Sequence, residues 1–273
     1  MLGNLLKLYV KENERSAGMN MRDERTIKLL DFTWRVMEPA NIIINKALNV
    51  KLAHSAYEEF SDAADYIWKT PRFLESEKED ELAKLPIYFP NHPDIAEKRW
   101  EIEGRKIERT FPWLMSRGNL FSIASLYEAY LLLLAKEIEK VTHISLSLTK
   151  GQGISKINNY FKTVGLDFKS VPLFEQVDAA LKIRNCLFHA SGILDYCKKP
   201  DQIISIVDNL TFLSEEHRHR RKASDRKVDE VIITTTKFGR RIEIINDYSF
   251  LAANYLRDYF IGLCVEAKKK GKI

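Results

Sequence analysis

Apolar residues recur at intervals of three and four along most of this chain, the spacing that gathers them on one face of an α-helix. Ile27, Leu30, Trp34 and Met37 make a first stripe, which Pro39 interrupts. Ile44, Leu48, Leu52, Ala56, Phe60, Ala63 and Ile67 make a longer one that stops before Pro71. Together they predict a helical pair. Between 71 and 112, Pro71, Pro86, Pro90, Pro93 and Pro112 alternate with the charge run ESEKEDE. That mixture predicts an irregular connection with at most a short helix over about 96–109. A domain boundary is placed here, with an N-terminal helical extension and Pro-rich connector over 1–110 and a helical domain over 111–273.

The clearest helix runs from Ser116 to about Val141, where Leu120, Ile123, Ala124, Tyr127, Tyr130, Leu131, Leu134 and Ile138 form a broad apolar face. A face that wide needs cover on more than one side. KGQGISKINNYF predicts a short amphipathic helix that ends near Gly165. Pro172 opens the next helix in a first-turn position, with Gly192 as a left-handed stop after it. Residues 200–213 read as a further helix. EVIITTT and RIEIIND, joined through KFGR, alternate as two short strands with a turn between them. A final helix spans Tyr248 to about Ala267 before the basic tail KKKGKI. The fold class is therefore all-α, a helical bundle with one small β-hairpin before its last helix.

A chain of 273 residues, 45% of them hydrophobic, can bury a real core. The richest apolar run, AYLLLLA, is flanked by Glu128 and Lys136 and falls short of the roughly 18 residues a membrane span needs, so no span is expected. MLGNLLKLYVKENERS lacks the basic start and small-residue cleavage site of an export signal. Cys186, Cys197 and Cys264 are an odd count without CxxC spacing, which supports neither a disulfide framework nor a zinc ribbon and fits a reducing cytoplasm. The net charge of +5 is small, but HRHRRK at 217–222, with Arg226 and Lys227 after it, concentrates positive charge. Such a run is either a solvated loop or, through Arg218, Arg220, Arg221 and Lys222, a contact for RNA phosphates.

Several chemistries lack their residues. There is no GxxxxGK or GxGxxG loop, no HExxH and no GxSxG elbow, so nucleotide triphosphatase, zincin and serine hydrolase are set aside. No metal site or cofactor is expected, and His217 and His219 have no cysteine beside them to complete a zinc set. What remains is RNCLFHASG, which gathers Arg184, Asn185 and His189 near the end of an otherwise apolar helix. Asn185 and His189 share a face at i and i+4, with Arg184 one position round, so all three border one cleft. The structural alternative is that Arg184 and His189 cap the negative end of the helix dipole.

The segment LKIRNCLFHASGIL, following SRGNLFSIASLYEAYLLLLAKEI and KGQGISKINNYFKTVGLDF, resembles the HEPN superfamily, helical domains of prokaryotic toxins and antiviral RNases. The resemblance covers about Phe111 to Ala267. It implies Arg184 and His189 as catalytic residues with Asn185 as polar neighbour, in a composite cleft between two chains that cuts RNA without metal. Glu128, in SLYEAY, is the candidate carboxylate that orients Arg184 or His189, and Tyr127 and Tyr130 are candidates for stacking on bases or for the core. Ser191 stands where members paired with a nucleotidyltransferase antitoxin carry a tyrosine, so regulation through that tyrosine is not expected.

The function expected is thus a cytoplasmic, homodimeric, metal-independent endoribonuclease of toxin or phage-defence type, with RNA and an antitoxin or regulatory protein as partners. The alternative is a non-catalytic module of the same fold that dimerises and binds RNA, a nucleotide or a protein.

Overall fold

In the computed structural model, which describes residues 50–223 and 230–273, the stripe through Ala56, Phe60 and Ile67 lies on α1, Lys51–Tyr88. The stripe from Ile27 to Met37 lies outside the described residues, as do Ile44, Leu48, Arg226 and Lys227. Contrary to the expected break, α1 passes through Pro71. Proline removes the N–H that would bond the carbonyl four residues back, here that of Ile67. That carbonyl instead accepts from Thr70 Oγ1 at 2.7 Å and from Asn246 Nδ2 at 2.7 Å, so Pro71, one of two prolines inside α1 with Pro86, strands no acceptor there.

The remaining connector is helical too. After a turn at 89–92, α2 (Pro93–Arg105) runs through one π-helical turn, Lys106–Thr110, into α3 (Phe111–Thr142). The wider π ring, closed by Phe111 N–H on Lys106 O, lets the helix pass Pro112. The expected irregular connection over 71–112 is therefore corrected to two helices that pack on each other. The core does not divide at 110 either. Phe60 of α1 meets Tyr130 of α3 at 5.9 Å between ring centroids, and Tyr130 meets Phe260 of the last helix at 5.3 Å.

The other elements are α4 (Gly153–Thr163), α5 (Phe174–His189), α6 (Pro200–Asp208), α7 (Glu215–Ala223), the strands β1 (Val231–Thr236) and β2 (Gly239–Ile244), and α8 (Asn246–Lys269). Helix α5 starts two residues after Pro172, behind Leu173 at φ 70°. The strands form the expected antiparallel hairpin, with Val231 opposite Ile244 and Thr236 opposite Gly239. Helix α8 is apolar almost all round, burying Leu251, Tyr255, Leu256, Tyr259, Phe260 and Leu263, and it is the axis of the bundle. The continuous α2–α3 helix, Pro93–Thr142, is by length and composition long and apolar enough in one window to cross a membrane, although its uninterrupted apolar run AYLLLLA is short. Half of that window is buried, as in the core helix of a bundle.

Candidate functional site

Helix α5 presents its polar residues because its opposite side is committed to the core. Val177, Ala180, Ile183 and Leu187 are buried, which turns Arg184, Asn185, Phe188 and His189 outward. The helix ends at His189, where both Ala190 and Gly192 donate their N–H groups to Cys186 O at 3.0 Å. Gly192 has φ 81°, and a Cβ there would stand 2.8 Å from Ile242 O and 3.0 Å from Arg117 Nη2, so only glycine fits this stop.

Arg184 reaches α3. Its Nη2 donates to Glu128 Oε1 and its Nη1 to Asn185 Oδ1 at 2.9 Å. The guanidinium is thereby held in one orientation by a carboxylate 56 residues away and by its own neighbour. The side chains are 17% and 36% exposed, and a pair that open contributes about 0 to 1 kcal/mol. Its consequence is orientation more than stability. Helix-end capping by Arg184 is not what the structure has.

His189 is exposed, one turn on from Asn185. Its ring stands edge-on to Phe188 at 5.0 Å, and Phe188 stands edge-on to Phe121 of α3 at 5.4 Å. It forms no side-chain hydrogen bond among the described residues, so both ring nitrogens are open to an incoming group. Arg184, Asn185 and Glu128 therefore meet, with His189 beside them on the same outer face.

Tyr127 and Tyr130 take the core alternative: they are 2% and 4% exposed, packed against Tyr259, Phe60 and Phe260, so neither can stack on a base. The basic run is no loop. It forms α7, whose first turn is capped by Ser214 Oγ accepting from His217 N–H at 3.2 Å. His217 points inward, its Nδ1 2.7 Å from Tyr255 OH and 2.9 Å from Ser214 Oγ, and burial lowers its pKa from the ordinary value. Arg220 pairs with Glu216, and Arg221 with Glu230 at 3.0 Å, leaving Arg218 half-buried and Lys222 exposed.

The cysteines also depart from expectation. Cys186 on α5 and Cys197 after the next turn form a disulfide with Cα atoms 5.8 Å apart, while Cys264 is free and buried. An odd count hid one bonded pair and one core thiol. The cysteine count accordingly gives no argument for a reducing compartment.

Residues that sequence reasoning missed lie on the other side of the Gly192 turn. Arg117 stacks over Trp113 at 4.2 Å, Arg241 of β2 lies 5.0 Å from the same ring centroid, and Arg117 Nη2 donates to Ser191 O at 3.1 Å. An i, i+4 Trp–Arg pair on α3 was visible as spacing, but nothing local linked it to β2 or to residue 191. Among the described residues no three His, Cys, Asp or Glu gather as metal ligands. No family model, no curated protein and no solved structure matches this chain.

Proposed function

We propose that this chain is a metal-independent endoribonuclease of toxin or phage-defence type, of the HEPN kind, with a composite site at a homodimer interface. The observation that carries the reading is the network of Glu128, Arg184 and Asn185 beside an exposed His189. Arg184 keeps N–H donors beyond the two it uses, and those suit a phosphate oxygen. His189 offers an imidazole, a side chain suited to taking up and giving back a proton at a reacting oxygen. In such a reaction the 2′-hydroxyl loses its proton to one His189, its oxygen bonds to phosphorus, and the 5′-oxygen leaves with a proton from the partner subunit's His189. The products are a 2′,3′-cyclic phosphate and a free 5′-hydroxyl. DNA, with no 2′-hydroxyl, is not cut.

Pairing of two chains is supported by the outer face of α3 beside the motif. Leu114 and Leu132 are 53% and 40% exposed there, Gly118, Ser125 and Ala129 lie between them, and Phe188 of α5 is 60% exposed alongside. The test is incubation of the protein with total RNA in excess EDTA, in parallel with His189→Ala. Cleavage by the wild type alone supports the proposal, and cleavage by neither removes it.

A second reading has one observation in its favour: Arg184 is already engaged by Glu128 and Asn185 in the single chain. An arginine so satisfied suits a non-catalytic module that dimerises and binds RNA, a nucleotide or a protein partner.

A further inference from the structure

Two arginines share one indole beside the turn that follows His189. Arg117, 7% exposed, and half-buried Arg241 both lie against Trp113, and neither forms an ion pair with any carboxylate among the described residues. Glu243, two positions along β2, is within Coulombic reach of Arg117 without pairing with it. Burial, followed by the charge of Arg241, pulls the Arg117 pKa down to about 10, with Glu243 opposing it as the smallest of the three causes. Two cations so close, one of them buried, are costly unless an anion sits between or beside them.

The surrounding polar atoms point the same way. Trp113 Nε1 and Arg241 Nε are buried N–H donors with no acceptor, and Thr234 Oγ1 is buried with no partner. Thr234 stands directly opposite Arg241 in the hairpin, which places both side chains on one face of the sheet. Folded proteins leave few buried polar groups unpaired. Here Trp113 Nε1 and Thr234 Oγ1 accompany two guanidinium groups that have no carboxylate partner, one of them with its own Nε unsatisfied, and every one can donate a hydrogen bond. What fits is a group that accepts several hydrogen bonds and carries negative charge, the description of a phosphate.

The location gives this a use. Arg117 holds the Ser191 carbonyl, and Ser191 is two residues past His189, no more than about 8 Å along the backbone. We propose that Arg117, Arg241 and Thr234 around Trp113 form a second phosphate subsite, which takes a phosphodiester neighbouring the one held at Arg184 and His189. The subsite rests on the ribonuclease reading for its ligand, a single RNA strand, and not for its geometry.

Its test measures binding, so that it does not depend on cleavage. A labelled single-stranded oligoribonucleotide is titrated by anisotropy, at several salt concentrations, into full-length His189→Ala and the same protein carrying Arg241→Gln or Arg241→Lys. Loss of one phosphate contact by Arg241→Gln weakens binding about fivefold or more and reduces the salt slope by roughly 0.7, while Arg241→Lys keeps most of the slope. Arg117→Lys, which retains the charge but shortens the fork, gives an intermediate loss. If RNA binds and Arg241→Gln changes neither affinity nor slope, the subsite is overturned and the ribonuclease reading stands. If no RNA binds, that reading fails and a second arm decides alone: inorganic phosphate titrated into the wild type, followed by the Trp113 indole N–H signal. A shift that Arg241→Gln abolishes supports a phosphate site with another ligand, and no shift overturns it.

Discussion

Arg184 on α5 donates its Nη2 to the carboxylate of Glu128 on α3, joining two helices at the point where the RNCLFH segment turns outward. A pair that is partly exposed stabilises little, so its value on the ribonuclease reading lies in holding the guanidinium fork. Glu128→Ala is expected to lower stability by less than about 1 kcal/mol yet slow RNA cleavage by roughly tenfold to a hundredfold. Glu128→Gln, which still accepts from Arg184, recovers part of that rate. Rates and melting curves of the two variants check this, and equal rates for wild type and Glu128→Ala would remove Glu128 from the site.

Dimerisation gives a second expectation. If the outer face of α3 meets its own copy, sedimentation at micromolar concentration shows a dimer, and Leu132→Lys, which buries a charge at the seam, shifts it to monomer. The same variant is expected to leave the melting temperature of the monomer within a few degrees, because Leu132 is 40% exposed in the single chain. Loss of RNA cleavage together with the dimer identifies the cleft as composite.

How much of this was legible depended on how local the cause was. The stripe from Leu120 to Ile138 had to be buried whatever covered it, and α3 buries every one of those residues, with Ser116, Arg117 and Ala135 besides. The hairpin followed from alternation and from Gly239, whose φ of 96° suits a tight turn. Pro71 defeated the same reasoning because its missing hydrogen bond is made good partly by Asn246, 179 residues away, which no local pattern reports. Long-range pairings divide in the same manner. Glu128 was nameable because a carboxylate one helix away is the chemistry that Arg184 asks for, whereas Arg117 with Arg241, two like charges on one ring, answers no rule of attraction. The basic run read as a loop because six polar residues show no apolar stripe, yet a single inward histidine anchors it as a helix.

That histidine makes stability depend on pH. Burial is the main cause that lowers the His217 pKa in the folded chain, so the unfolded chain binds its proton at higher pH than the folded one. Its neutral form therefore supports the fold fully above the unfolded value near 6.5, and that support is lost as pH falls through the lower folded value. Melting temperature is expected to drop between about pH 6.5 and pH 5 in the wild type and to drop less in His217→Gln. Identical pH profiles for the two proteins would show that His217 does not titrate against folding.

The disulfide supplies an expectation about the motif's own helix. Cys186 and Cys197 are 11 residues apart, and closing so short a loop restricts the unfolded chain by about 2 to 3 kcal/mol. The span includes His189 and Gly192, so the bond also fastens the turn on which the histidine sits. Under denaturing, non-reducing conditions thiol titration should find one thiol per chain, that of Cys264. Reductant and Cys197→Ser should each lower the melting temperature by several degrees. Three titratable thiols and no effect of reductant would place the two cysteines in the reduced form.

Arg184→Ala and His189→Ala separate the functional from the structural account of the segment. His189 is exposed and makes no side-chain hydrogen bond among the described residues, so its removal is expected to change stability by less than about 0.5 kcal/mol. Arg184 gives up a partly exposed ion pair and one bond to Asn185, together about 1 kcal/mol against a total of roughly 5 to 15 kcal/mol. Loss of proton transfer, or of a phosphate contact in the transition state, is far larger in rate, a factor of about a hundred or more for each group. Cleavage should therefore vanish in both variants while circular dichroism, melting and dimerisation stay close to wild type. The comparison is sharpest for His189, where nothing in the fold asks for a histidine. A His189→Ala protein that unfolds or fails to dimerise would make this residue a structural pin, and full cleavage by a folded His189→Ala dimer would place the chemistry elsewhere.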